Sequence, residues 1–306
     1  MKNKTKFCPF IDVSVNAAWD DWQNYPDGRP NPAYSAAAIK YKMDMLFLGF
    51  LTADINGNAA WSAQEKMPVS WARPLSKELS DGGVKVSVSF GGAANQDISY
   101  VQSVNELVVT YQQVIGQLNA SHLDFDFENG LYNEDRAFSA LAIIKEKHPD
   151  LTLSLTLPTM PTGLTGVGLS LIKKSVESGL AMKVNGMAMD YFSPDYTDMG
   201  AAAVMAADSI KNQLAGYYPS LSEDELYDMV QITPMIGVND DQTMFTFDDV
   251  DVITGHAKNV GLNLVSMWSL TRDKPGDSPW ADAGSSGNPE QTKEFEYCER
   301  FINGLK

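Results

Sequence analysis

Short apolar runs of strand character alternate along this chain with longer stretches whose apolar positions recur at helical spacing. Residues 6–15 read as a buried strand, and residues 43–51 form an apolar run too short for anything but another. The β-branched stretch 84–92 ends in the glycines Gly91 and Gly92, and residues 151–157 alternate strictly before Pro158 and Pro161. Strands are also expected near residue 124 and within 184–191, 226–238 and 262–268. Between Ser99 and Leu118, the positions Val101, Val104, Leu107, Val108, Tyr111, Ile115 and Leu118 predict a helix. Asn133 is placed to cap the next helix, which His148-Pro149 closes. Residues 32–42, 169–178, 200–217, 247–259 and 290–302 read as further helices, and 75–80 as the end of one. Eight strands, each followed by a helix or a long loop, predict an α/β fold, a (β/α)8 TIM barrel. With no repeat and no linker in the sequence, residues 1–306 are expected to form a single domain.

Composition narrows the chemistry. A 306-residue chain with 44% hydrophobic and 20% charged residues is ordinary for a globular protein. The formal charge is −16, and no basic stripe is present to follow a phosphate backbone, which argues against nucleic acid and anionic membrane as partners. No apolar run reaches the length of a membrane span. Cys8 and Cys298 are expected as buried thiols, with a bridge between them open only if the first strand and last helix are neighbours. His122, His148 and His256 lack ligand-like spacing, so no metal is expected. Met1-Lys-Asn-Lys-Thr-Lys6 is basic, but Pro9 and Asp12 interrupt the apolar residues after it, and no signal segment is visible. A secreted protein without its signal segment is expected, with a cytoplasmic one as the alternative, and a monomer in either case.

The most pointed chemistry is in Ser121-His-Leu-Asp-Phe-Asp-Phe-Glu-Asn-Gly130. In an extended strand Asp124, Asp126 and Glu128 face one way while Phe125 and Phe127 face the other. Three neighbouring acids raise the proton affinity of at least one, a route to an acid still protonated near neutral pH. Alternation alone would also produce a strand with one solvated face. In a barrel, however, strand ends carry the chemistry, and other polar groups collect at those ends: Ser89 with Gly91 and Gly92, Asp190 with Tyr191, and Trp268 with Arg272 and Asp273.

Ser89-Phe-Gly-Gly92 resembles the strand-three Ser-x-Gly-Gly signature of glycoside hydrolase family 18. Asp124-Phe-Asp-Phe-Glu128 resembles the Asp-x-Asp-x-Glu end of that family's strand-four motif. Met187-Ala-Met-Asp-Tyr191 resembles its strand-six segment, and Met267-Trp-Ser269 its strand-eight tryptophan. All four occur in family order, and the wording of residues 233–240 and 267–273 is most similar to bacterial chitinases.

The resemblance implies a chitinase that cleaves β-1,4 bonds between N-acetylglucosamine units with retention, the sugar's own 2-acetamido carbonyl acting as nucleophile. Glu128 would be acid and then base. Asp126 would hold the acetamido N–H and stabilise the oxazolinium intermediate, and Asp124 would share a proton with Asp126. Asp190 and Tyr191 would steady the acetamido group, and Trp268 would floor the sugar. Ser89 and Trp22 are the other candidate binding residues. Trp19, Trp22, Trp61, Trp71 and Trp280 could either stack on sugars or pin loops. The chain departs from the family in two places. Ser121 and His122 stand where the motif usually begins with an acid and often a glycine, and strand six usually ends Tyr-Asp rather than Asp190-Tyr191. The alternatives are an endo-β-N-acetylglucosaminidase acting on N-glycans and a non-catalytic chitin-binding barrel. The expected partner is chitin or chitooligosaccharides.

Overall fold

Pro9 has no N–H to give a ladder, and the first strand is accordingly split around it into β1 (Lys6–Phe7) and β2 (Phe10–Asp12). The structure is a computed structural model that describes Lys2 and residues 4–306. Of the basic N-terminal start, Met1 and Asn3 lie outside the described residues. The next strands are β3 (Met45–Ala53), β4 (Ala59–Trp61), β5 (Lys85–Gly91), β6 (Ala120–Asp126), β7 (Thr152–Met160) and β8 (Gly163–Leu164). They are succeeded by β9 (Lys183–Ala188), β10 (Val230–Pro234), the hairpin β11 (Gly237–Val238) and β12 (Met244–Phe245), and β13 (Leu264–Val265).

Helices fall between them: α1 (Pro32–Tyr41), α2 (Arg73–Asp81), α3 (Ile98–Val101), α4 (Val104–Leu118), α5 (Glu134–Lys147) and α6 (Gly166–Glu177). The later ones are α7 (Met199–Tyr217), α8 (Glu223–Tyr227), α9 (Phe247–Val260) and α10 (Glu296–Leu305). The eight strands expected from the pattern are all present, and the fold is α/β, a (β/α)8 barrel. Among the described residues no helix is long and apolar enough to cross a membrane.

Local chemistry explains where element boundaries differ from expectation. The helix expected over 99–118 is broken, because Ser103 and Glu106 form a capping box that begins α4 afresh. Asn133 caps α5 as expected, accepting from the Arg136 N–H at 3.0 Å. The closing helix starts at Glu296 rather than near 290, where the Asp273 carboxylate accepts the N–H groups of Tyr297 at 3.1 Å and Cys298 at 2.8 Å. Cys8 and Cys298 are both buried thiols, not a disulfide.

The chain divides into two compact units. One comprises the described residues up to Phe10, Leu157–Leu169 and Lys183–Lys306, with sheet order β1-β13-β10-β9-β7. Its parallel ladders pair Lys6 with Leu264, Ile232 with Val265, and Thr233 with Met187. The other comprises Ile11–Thr156 and Ser170–Met182, with sheet order β7-β6-β5-β3-β2.

In this second unit the greasy face of β6 holds the strand in place. Phe125 stacks on Phe90 at 5.2 Å and meets Tyr111 of α4 edge-on at 5.7 Å, while Phe127 stacks on Tyr132 at 4.3 Å. Each such ring pair contributes about 0.5–1.5 kcal/mol beyond burial. A slip of one residue would send these rings to the acid face and the acids among the helices, so the aromatic face specifies the register of the acids.

Candidate active site

Asp124 and Asp126 sit on β6 in register with both neighbouring strands. Ser89 of β5 and Ser154 of β7 flank Asp124, and Gly91 and Thr156 flank Asp126. Asp124 is fully buried. Its Oδ2 accepts from the Ser89 hydroxyl at 2.6 Å, and its Oδ1 accepts from the Thr156 hydroxyl at 2.8 Å and from Ser154. Burial pushes its carboxyl up to about 6 against the downward pull of these hydroxyls.

Asp126 is buried too, but its Oδ1 has no hydrogen-bond partner. Burial, then repulsion from Glu128 and Asp124, holds its carboxyl well above the ordinary range, and a side-chain hydrogen bond with Glu128 adds to the rise. Glu128 lies two residues past the strand end and is exposed. The row is therefore graded from a buried carboxyl lined with hydroxyls at Asp124 to a solvent-reaching acid at Glu128.

Backbone geometry shapes the same end. Gly91 has φ +87°, and a Cβ there would run into the Asp126 carbonyl oxygen, so this strand end admits only glycine. The Gly92 N–H donates to that carbonyl at 3.0 Å. After Glu128, the Asn129 amide donates to the carbonyls of Gly92 and Asn95, both at 2.9 Å, tying the loop after β6 to the loop after β5.

Ser121, which stands where the family motif usually has an acid, is the extra residue of a β-bulge and is exposed. It takes no part in the buried row, and the surroundings of Asp124 are completed by hydroxyls from β5 and β7. His122 is buried, its ring edge-on to Phe47 at 5.3 Å. Ser89, a candidate for binding, is fully buried behind Asp124 and engaged with it. Trp22 lies in a loop and is 66% exposed.

The other candidates belong to the first unit. Asp190 lies beyond the end of β9 in the left-handed region, φ +51°. Its Oδ1 accepts the Asp240 N–H at 2.7 Å, and its own N–H donates to Asn239 Oδ1 at 3.3 Å. Burial first, then the charges of Asp240 and Asp241, raise its carboxyl to about 6. Tyr191 is buried, with a hydroxyl that has no hydrogen-bond partner, and burial pushes that hydroxyl upward. Trp268 is half-buried, 6.2 Å from Phe10, and its backbone N–H donates to the Pro234 carbonyl at 2.8 Å.

Sequence reasoning missed two groups as site residues. Ser154 and Thr156 are visible as the polar members of the alternating strand 151–157, but their partner is not. Asn239 and Asp240 close a segment that stands out only by its likeness to bacterial chitinases, Asp241 follows it, and a turn's side-chain contacts leave no periodic signal.

No family model matches the chain. A probable bifunctional chitinase/lysozyme of Escherichia coli (strain K12) is 28% identical over 320 residues, covering 97% of this chain and 34% of that protein. Endochitinase 11 of Metarhizium anisopliae is 31% identical over 291 residues, covering 89% of this chain and 53% of its own length. The chain thus spans between a third and about half of the length of these curated relatives. The crystal structure of the catalytic domain of a hyperthermophilic chitinase from Pyrococcus furiosus matches with a TM-score of 0.86 and 27% identity, covering 100% of this chain and 96% of that one. In sequence and in fold alike, the chain resembles the chitinases of glycoside hydrolase family 18.

Proposed function

We propose that residues 1–306 act as one catalytic barrel, a chitinase that hydrolyses β-1,4 bonds between N-acetylglucosamine units with retention. The observation that carries this reading is the graded acid row: a donor-held Asp124, a buried Asp126 whose carboxyl burial and its acid neighbours push upward, and an exposed Glu128 hydrogen-bonded to Asp126. Likeness to chitinases in sequence and fold supports the choice of substrate.

In the first step Glu128 gives its proton to the glycosidic oxygen while the 2-acetamido carbonyl oxygen attacks the anomeric carbon. The glycosidic bond breaks, and the sugar becomes a cyclic oxazolinium ion. Asp126 orients the acetamido N–H and balances the positive charge that develops there. Glu128, now a carboxylate, takes a proton from water as that water opens the ring and restores the acid. Asp190, Tyr191 and Trp268 are assigned to binding the acetamido sugar, and Trp22 to stacking, on the resemblance. The protein is proposed to be secreted and to act as a monomer on chitin or its oligomers.

Hydrolysis of a fluorogenic chitobioside across about pH 4 to 9, an interval that brackets carboxylate and histidine titration, tests the reading. Release of the fluorophore is expected. Cleavage of glycoprotein N-glycans without cleavage of chitin oligomers would replace the chitinase by an endo-β-N-acetylglucosaminidase. Binding without cleavage of either would leave a sugar-binding barrel.

A further inference from the structure

Two strands present hydroxyls to Asp124, and most of the hydrogen bonding comes from one of them. Thr156 and Ser154 of β7 both donate to Oδ1, and Ser89 of β5 donates to Oδ2. Such a site is built for an anion, because a protonated Asp124 would have to turn one hydroxyl away to place its own hydrogen. Asp126 is the reverse case, with a buried Oδ1 that has no hydrogen-bond partner and a hydrogen bond to Glu128.

We propose that Ser154 and Thr156 are positioning residues that keep Asp124 the fixed anion of the row, so that the row's proton resides between Asp126 and Glu128. The proposal deepens the hydrolase reading above and rests on it for its catalytic consequence. The proton is thereby kept at the solvent-reaching end, beside the group that must deliver it.

The ionisable groups on the segment itself are His122, Asp126 and Glu128. From β5 the flanking side chains are the buried Ser87 and Ser89 with the exposed Lys85 at the strand start, and β7 contributes Ser154 and Thr156 without any charged group. Hydroxyl donors are therefore the main counterweight to the burial that drives the Asp124 carboxyl upward.

The test follows the Asp124 carboxyl carbon by NMR in aspartate-labelled protein, with the signal assigned through Asp124→Asn, beside the pH profile of kcat/KM on a chitobioside. In Thr156→Val and in Ser154→Ala the Asp124 midpoint should rise by about one pH unit. The acidic limb of kcat/KM should move with it, and KM measured above that limb should stay within about threefold. Thr156→Ser, which keeps the hydroxyl, should return both midpoints to the parent values. Folded variants whose Asp124 midpoint does not move would overturn the proposal, as would a Thr156→Ser protein that behaves like Thr156→Val. If one variant does not fold, the other and Thr156→Ser decide the matter. Should the parent cleave no chitooligosaccharide, the hydrolase reading fails, while the titration still tells whether the hydroxyls hold Asp124 as an anion.

Discussion

Asp124 and Asp190 are both acids at strand ends, and both have carboxyls raised to about 6, yet they are held by different means. Asp124 is set by register: its partners stand beside it on the adjacent strands. Asp190 is set by a loop: a left-handed backbone, a turn N–H and an asparagine amide from the segment after β11. A ladder places donors by strand pairing, so it tolerates changes in outward-facing side chains. A loop clasp depends on a few backbone positions and fails when one of them changes.

Replacing Glu128 by Gln removes the proton donor but leaves the ladder intact. Turnover on chitobioside should fall by about 10²–10⁴-fold, with melting temperature unchanged, and a fall in both would place Glu128 in the scaffold. Next in size is Gly91→Ala, which forces a Cβ into the Asp126 carbonyl at a positive φ. Urea unfolding should report a loss of about 2–4 kcal/mol. Gly130→Ala shares the positive φ but meets open space, and should lose only about 1–2 kcal/mol.

This contrast also separates what the sequence could tell from what it could not. Period-two alternation exposed the acid row, its ring-bearing reverse face and the polar members of β7, because strand geometry turns pairing into pattern. The split at Pro9 and the restart at Ser103 were written in single residues whose local chemistry overrides the wider periodicity. That Ser121 is the exposed residue of a bulge was not legible, because a bulge has no signature in the pattern of one strand. The clasp around Asp190 was invisible for a related reason: Asn239 and Asp240 reach it across some fifty residues through a turn.

The loop clasp can be opened at Asn239, whose amide donates to the Met235 carbonyl at 2.9 Å and the Gly237 carbonyl at 3.1 Å. Asn239→Ala should cost about 1–3 kcal/mol in urea unfolding, because it strands these buried carbonyls. It should also raise KM for chitobioside more than it lowers kcat. The opposite split would show that Asp190 is held by something other than this turn.

Stability against pH tests the buried carboxyls together. Burial raises Asp97 and Asp124 to about 6 and Asp273 to about 7, from 3.8. Between those values the folded protein keeps protons that the unfolded chain has released, so stability declines as pH rises from about 4 to 7. Glu106 and Glu225, exposed acids in capping boxes with lowered carboxyls, act in the other direction, at pH values below their ordinary 4.5. The melting temperature should be a few degrees higher at about pH 5 than at about pH 8. A rise over the same interval would mean that these carboxyls are not raised in the folded protein.

The central claim is that the substrate supplies the nucleophile and Glu128 moves the proton. Its most direct measurement is the anomeric form of the first product from chitotetraose, read by proton NMR before mutarotation. The account predicts the β-anomer, with no cleavage of the fully deacetylated oligomer that lacks the acetamido carbonyl. An α-anomer first product, or equal cleavage of the deacetylated oligomer, would contradict it.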